Sequence, residues 1–244
     1  MAWAFAGSDH AYVAAATSMS LTPPATPGLF YAWVFAFNGV AAGSGPWVKP
    51  WATGDPPNAI GPTHGWIQAG FQAPSGSGVG IEVWVAINGG SGPRQANFTG
   101  SFACQGAVGA WSGAYAPFGS INDGALRAAT FAQVTGNTPA SPSGNAVTGD
   151  LVIPCAADLM LTPGFGTPTG YTVRLDAHDN GYGSAETAFA DAVAAATGAT
   201  GTITWPGNAA TSGTLGTTAT LLVKPAPTVL PSSGLYLDFT YPTV

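Results

Sequence analysis

The segment from Asp176 to Gly181 comes nearest to a metal-binding pattern in this chain. Its Asp-Ala-His-Asp-Asn-Gly places Asp, His, Asn and Gly at the first, third, fifth and sixth positions of an EF-hand calcium loop. The twelfth position is Thr187, where a bidentate Glu is needed, and Glu186 stands one place early. Because the flanks predict a strand and a helix, we reject the EF-hand. A looser calcium site and a plain polar loop both stay open, the loop being favoured, and we assign no metal ligand.

Aromatic residues beside an acid form a second candidate site. Glu82 and Trp84 share a strand, and a Gly/Pro-rich connection over residues 40–65 carries Trp47 and Trp51. Aromatic faces of this kind can stack on sugars. No cluster of carboxylates and amides accompanies them, which favours packing in a core or an interface. We therefore predict Trp47, Trp51 and Trp84 to be interface or glycan contacts.

Catalytic signatures are missing from the sequence. It has no Gly-x-Ser-x-Gly elbow and no phosphate-binding loop, since Lys49 and Lys224 both precede proline. His10, His64 and His178 lie far apart, without metalloprotease spacing. The two Glu and nine Asp show no placement that suggests a glycosidase pair. We predict that the chain is not an enzyme, and we assign no catalytic residue and no cofactor.

Composition limits the partners. Only 7% of the 244 residues are charged, while 35 are Gly and 21 are Pro; an ordinary soluble domain has roughly 25% charged residues. Such a surface favours burial against other subunits over a small neutral secreted domain. A net charge of −6 with five basic residues excludes binding to nucleic-acid phosphates and disfavours anionic membranes. The first residues lack a signal peptide, and no apolar run is long enough to span a bilayer.

Two cysteines, Cys104 and Cys155, fall in predicted strands among small or apolar neighbours. This setting favours buried thiols, with a disulfide as the alternative. No histidine lies at a spacing that would complete a zinc site with either cysteine.

Strand patterns dominate the chain. From Val79 to Ile87 the β-branched residues alternate with Gly80, Glu82, Trp84 and Ala86, which is typical of a strand. Leu29 to Phe37 is apolar on both sides and predicts a central strand. Phe98 to Ala110 carries a row of small residues that predicts close approach of another layer. Further strands are predicted in residues 1–22, 66–73, 126–134, 150–161, 171–177, 203–205 and 217–223, with Pro154 marking an edge or a bulge.

These patterns predict an all-β fold: a two-layer antiparallel β-sandwich, jelly-roll-like, formed by residues 1–224. One short α-helix is predicted near 185–197, where Ser184 can cap an apolar stripe that Gly198 ends.

Residues 225–244 are predicted to be a Pro/Ser-rich linker followed by a strand that acts as an arm. The arm strand can pair with its own sheet or with a neighbour's. We predict that its alternating apolar row makes interface contacts; the row consists of Leu235, Leu237, Phe239 and Tyr241.

Several short motifs occur in an order that suggests a family. They are Phe-Asn-Gly (37–39), a Gly-Trp, Val-Trp-Val-Ala (83–86), Gly-Ala-Val-Gly-Ala-Trp-Ser-Gly-Ala (106–114), Thr-Gly-Asn-Thr-Pro (135–139), Thr-Gly-Asp-Leu-Val-Ile (148–153) and the Ala-rich helix predicted near 190. In this order the sequence resembles, over roughly residues 5–224, a group of β-sandwich virion structural proteins of tailed bacteriophages. The motifs carry no catalytic residues.

The resemblance implies a component of a phage particle, made in the host cytoplasm and located in the virion. Within the particle we favour a capsid decoration (cement) protein that stabilises the shell and contacts the major capsid protein or other virion proteins. The resemblance further implies a homo-oligomer, with a trimer as one option. A tail or fibre protein that binds a host-surface glycan through its tryptophans is the alternative.

Overall fold

The computed structural model describes residues 2–24, 29–87, 92–115, 124–134, 137–159, 164–177, 185–207 and 216–227. The described residues form strands, apart from one 3-10 turn at Pro62–His64 and the connecting loops. The predicted all-β sandwich is confirmed.

The first sheet uses the N-terminal half of the chain. Its strands are β1 (Ala4–Leu21), β2 (Phe30–Val40), β3 (Val48–Lys49), β4 (Trp66–Gln72), β5 (Gly78–Ile87) and β6 (Arg94–Ser112). They lie in the order β1-β6-β2-β5-β4, with β3 added to β6, and every pair is antiparallel. β2 and β5 are central, and their apolar residues on both sides are buried, as predicted.

The second sheet uses the C-terminal half. Its strands are β7 (Leu126–Gln133), β10 (Leu151–Leu159), β11 (Thr172–Ala177), β12 (Ala185–Val193) and β15 (Thr217–Val223). The order is β11-β12-β10-β15-β7, again antiparallel throughout. The chain fills one sheet before it begins the other. This differs from a jelly roll, whose chain passes back and forth between its sheets, so the jelly-roll comparison holds only for the two antiparallel layers.

The two sheets face each other strand by strand: β11 and β12 lie on β1 and β6, β10 and β15 on β5, and β7 on β4. The inner core between them combines β-branched residues of β5 with Ile153, Leu221 and Phe189 from the second sheet. Burial of this apolar area is the main stabilising term. Trp111 of β6 also donates from its indole Nε1 to Asp191 of β12, which joins the layers by a buried hydrogen bond.

A second core covers the outer face of the first sheet. β1 and β6 are 18 and 19 residues long, and register shifts on either side of Ala16 bend the pair. The bend brings the Thr22 N–H to 2.6 Å from Asp9 Oδ2 and lays Met19 over Gly106. The connection between β2 and β4 adds further cover. We call the buried residues between this cover and the sheet the outer aromatic core. It includes Trp33, Phe35, Phe37, Trp47, Trp66, Trp84 and Phe98.

Short strands cover the outer face of the second sheet. They are β8 (Ala140–Ser141), β9 (Asn145–Ala146), β13 (Gly198–Ala199) and β14 (Ile203–Thr204), paired as β14-β8 and β13-β9. Phe165 and Trp205 fill the space between this cover and Ala188. The central strands of both sheets, β2 and β5 in the first and β10 and β15 in the second, are thus buried on both faces.

The predicted helix at 185–197 is wrong. Residues 185–193 form β12, which pairs with β10 on one side and β11 on the other. So many alanines occur here that the sequence fits a period of two as well as a period of 3.6. The segment forms a strand because it pairs with β10 on one side and β11 on the other, and such tertiary pairing overrides a weak helix propensity.

Two smaller predictions had different outcomes. Pro154 is not at an edge, since β10 lies between β12 and β15, and no register shift is recorded at this residue. The close approach predicted by the small residues of β6 is confirmed. A Cβ on Gly109 would lie 2.7 Å from the Phe189 ring of the facing sheet.

Gly80 offers a direct test of the outer aromatic core. A Cβ on this residue would lie 2.2 Å from Cη2 of Trp47, which is buried. We expect Gly80→Ala to lower the free energy of unfolding by about 1–3 kcal/mol, because the indole has to shift within a packed core. Gly76→Ala is the matched control, since nothing lies within 4 Å of its Cβ. Equal urea midpoints for the two variants would contradict this packing.

Candidate functional site

The predicted contact tryptophans do not form a platform. Trp47 and Trp84 are 3% and 2% exposed and belong to the outer aromatic core. Trp51 is half-buried and packs against the ring of His64, with centroids 5.0 Å apart. Trp47 and Trp84 are therefore corrected from ligand contacts to core residues, because the bent β1-β6 pair and the loop of residues 41–65 cover the sheet face that carries them. The predicted arm residues, Leu235, Leu237, Phe239 and Tyr241, lie outside the described residues.

Glu82 is the centre of the buried polar network in the first sheet. Its Oε2 accepts hydrogen bonds from the backbone N–H groups of Trp47 (2.7 Å) and Val48 (2.9 Å). Its Oε1 accepts from Gln68 Nε2 (2.7 Å) and Trp84 Nε1 (2.8 Å). Burial raises the pKa of this carboxyl, and the four donors oppose the shift. Glu82 thus fastens a covering loop to the sheet and is not available for a ligand.

A second acidic group lies on the outer side of the second sheet. Asp158 of β10 is directly opposite Glu186 of β12, and they are 1% and 2% exposed. Asp176 of β11 is opposite Ala188, two residues along β12 from Glu186, and it accepts a hydrogen bond at Oδ2 from the Phe165 N–H (2.8 Å). We call Asp158, Asp176 and Glu186 the carboxylate cluster. Sequence analysis missed it because a helix at 185–197 would not place Glu186 beside Asp158.

Asp158 and Glu186 of the carboxylate cluster bind protons more tightly than ordinary carboxyl groups do. Burial raises the pKa of Asp158 to about 7. Burial, followed by the charge of Asp176, raises the pKa of Glu186 to about 8. Asp158 Oδ2 and Glu186 Oε2 are buried without a hydrogen-bond partner in the structure. Both carboxyls are therefore mainly protonated below neutral pH, which avoids burying charge.

Metal chemistry has little support in the described part of the chain. There, no group of three or more His, Cys, Asp or Glu side chains is arranged to hold an ion. The remainder of the predicted calcium loop, residues 178–181, lies outside the described residues. Cys104 and Cys155 are free and buried, and burial raises the pKa of both thiols, which confirms the buried-thiol interpretation.

β1 forms one outer edge of the first sheet. β1 is last in its sheet, and no described strand pairs with its outer side. From Ala4 to Val13 it contains no Lys, Arg or Pro, and Asp9 and His10 are its only acidic and basic residues. Ala4, Ala6, Ser8 and His10 are exposed. Natural edges usually carry Lys, Pro or a cover that prevents pairing with another chain. Among the described residues this edge carries milder protection: a register shift between Phe5 and Gly7 interrupts it, and the His10 N–H donates to Asp9 Oδ1 (2.9 Å).

The C-terminal segment leaves the sandwich beside the start of β1. The Ala226 N–H donates to Gly113 O (2.6 Å), and Gly113 follows β6, whose Ser112 pairs with Ala4. A groove of about 520 Å³ lies at this exit. Its lining includes Ala2, Trp3, Gly149, Val193, Pro225 and Pro227. Val193 is 52% exposed, so the groove offers apolar surface at the point where the chain continues.

Comparison with known proteins identifies no relative: no protein-family model matches the chain, and no curated protein matches it at a significant level. The described residues also contain no helix with the length and apolar character needed to cross a bilayer.

Proposed function

We propose that the chain is a structural subunit of a tailed-bacteriophage particle. Within the particle we favour a capsid decoration (cement) protein that binds the shell and stabilises it through contacts between subunits. The order of motifs over residues 5–224, with only 7% charged residues, supports this assignment.

The observation that carries the proposal is the scarcity of charge on a folded body: only 7% of the residues are charged, against roughly 25% in an ordinary soluble domain. The outer edge of β1 adds to this, because no described strand pairs with it and Asp9 and His10 are the only acidic and basic residues from Ala4 to Val13. A chain that circulates alone is expected to protect such an edge. A chain that is buried in an assembly gains main-chain hydrogen bonds from it.

The buried acids support a structural role. Glu82 is bonded to four donors, and Asp158 and Glu186 are almost completely covered. A general acid or base has to reach the proton it transfers, and these groups do not reach the surface. The proposal therefore assigns the chain no reaction. Its partners are the major capsid protein, other virion proteins and further copies of itself.

Adding the purified chain back to particles tests the proposal. Particles produced from a genome that lacks the gene are mixed with increasing amounts of the chain and sedimented. We expect binding that saturates at a fixed ratio to the shell protein and a higher temperature of DNA release.

Serum albumin and heat-unfolded chain, each mixed with particles and sedimented in the same way, show how much protein is carried into the pellet without specific binding. A chain that stays in the supernatant with intact shells would overturn the decoration role. Labelling confined to tails under the electron microscope would assign the chain to the tail instead.

A further inference from the structure

The outer face of the second sheet contains a device that responds to pH. We propose that Asp158 and Glu186 form a proton-controlled latch with residues 164–166, which stay closed over the acids while both are protonated. When both acids ionise, residues 164–166 move away and the rest of the sandwich stays folded. The latch belongs to the fold of a single chain, so its test does not depend on the proposed role in a particle.

Register and burial place the two acids in conflict once they ionise. Asp158 and Glu186 are directly opposite each other on paired strands, and both are almost completely covered. Like charges in this position are destabilising. One oxygen of each side chain, Asp158 Oδ2 and Glu186 Oε2, is buried without a hydrogen-bond partner in the structure. Two neutral carboxyls fit this site, whereas two carboxylates would bury charge that nothing there offsets.

Residues 164–166 form the part of the cover that contacts the acids through its backbone. The N–H groups of Phe165 and Gly166 lie 2.8 Å and 3.3 Å from Asp176 Oδ2. The Gly164 N–H donates to Glu186. A Cβ on Gly164, whose φ is +87°, would lie 2.5 Å from Asp176 Oδ2, so this backbone rests directly on the carboxylate cluster.

Opening is expected here because the neighbouring strand is weakly held. β11 is the edge strand, it has six residues, and a register shift between Val173 and Leu175 interrupts its pairing with β12. β10 and β12, by contrast, are paired on both sides. Segments with few buried contacts open before the core does. Opening has to separate Phe165 from Trp205, whose rings are 5.9 Å apart, but it leaves the ladders of β10 intact.

The charges around the latch do not relieve the conflict. The charged groups that act on Glu186 are Asp176 and Asp158, which are both acidic. Arg174, two residues before Asp176 on β11, pairs with Asp191 (2.8 Å). Water that enters after residues 164–166 move is then the means of stabilising the carboxylates.

The latch titrates around neutral pH. Burial raises the pKa of Asp158 to about 7, and burial with the charge of Asp176 raises the pKa of Glu186 to about 8. Tyr171 packs beside Phe165, and burial raises its pKa above the ordinary value of 10.0, so it stays neutral in this range. The open state releases protons that the closed state holds, so opening becomes more favourable as the pH rises.

Hydrogen exchange of backbone amides in the full chain tests the latch. Each group makes opening up to about tenfold more favourable per pH unit until the pH passes its raised pKa. Between about pH 6 and about pH 9 we therefore expect the protection factors of the Phe165 and Gly166 amides to fall at least about a hundredfold. The amides of β5 should stay protected. Asp158→Asn with Glu186→Gln should hold the two reporting amides within about threefold over the same range.

Three further variants keep the test decisive. Glu186→Gln alone removes the larger share of the response and should limit the fall to about tenfold. Asp55→Asn, at the surface of the other sheet, should leave the fall unchanged. His178→Ala is needed because this histidine follows Asp176 by two residues and lies outside the described residues; it should also leave the fall unchanged.

Four results would overturn the latch. They are constant protection of residues 164–166 across the pH range, a fall that persists in the double amide variant, a fall that His178→Ala abolishes, and a loss of protection in β5 that keeps step with Phe165. The last would show that the whole sandwich unfolds at once. Binding of the chain to particles is measured separately, so neither outcome decides the other.

Discussion

Replacing Glu82 with alanine is expected to lower the free energy of unfolding by about 3–5 kcal/mol, because four donors lose their buried acceptor at once. For a chain of this size that corresponds to a drop of roughly 10 °C in Tm. Urea unfolding followed by tryptophan fluorescence measures the change, since Trp47 and Trp84 both contact this carboxylate.

Two further variants sharpen the test. Glu82→Gln keeps the shape but turns an amide group toward donors, so it should also destabilise the fold strongly. Asp55→Asn, in an exposed loop of the same connection, is the control and should leave the urea midpoint nearly unchanged. A Glu82→Ala protein with the midpoint of the unsubstituted chain would show that the network is not formed.

The second large effect is a loss of stability as the pH rises. Asp158 and Glu186 have pKa values of about 7 and about 8 in the folded chain, against ordinary values of 3.8 and 4.5. At a pH between the ordinary and the raised pKa values, these two carboxyls are ionised in the unfolded chain and protonated in the folded chain. The unfolded state then binds fewer protons, so the free energy of unfolding falls with rising pH.

The fall begins above the ordinary pKa values and ends once the pH passes about 8. Each group contributes at most about 1.4 kcal/mol per pH unit, over about two units for Asp158 and about three for Glu186 above pH 5, so we expect a loss of up to about 7 kcal/mol between about pH 5 and about pH 9. Urea unfolding at a series of pH values measures this slope.

Amide substitutions identify the groups responsible. Asp158→Asn with Glu186→Gln should flatten the profile and make the protein more stable than the unsubstituted chain at about pH 9, because no buried charge can form. Asp55→Asn removes a charge at the surface and should leave the slope in place. A flat profile in the unsubstituted chain would contradict the burial of the carboxylate cluster.

Much of the fold was predictable from the sequence because strands leave a period-two signal. Val79–Ile87 lies within β5, and Leu29–Phe37 overlaps β2 from Phe30 onward; both strands are buried on both sides. The small residues of β6 correctly indicated a close layer, since Gly109 faces Phe189. What these patterns do not encode is which strands pair, because that depends on contacts between distant parts of the chain.

The errors have the same cause. Residues 185–197 are so rich in alanine that local propensity favoured a helix, whereas two neighbouring strands fix the segment as β12. The pairing of Asp158 with Glu186 then stayed hidden. Trp47 and Trp84 were misassigned because nothing local shows that a bent strand pair and a loop cover their sheet face.

The described residues form a sandwich whose central strands are covered on both faces, and the C-terminal segment leaves it beside the start of β1. Only 7% of its residues are charged, which favours a surface that other subunits cover. Association, in this account, is what the sequence has been selected for.

The copy number of the chain in purified particles tests that claim most directly. Quantitative mass spectrometry of particles from the genome that encodes the chain gives its ratio to the major capsid protein. The account predicts a fixed ratio that corresponds to many copies on each shell. Absence of the chain from washed, intact particles would contradict it.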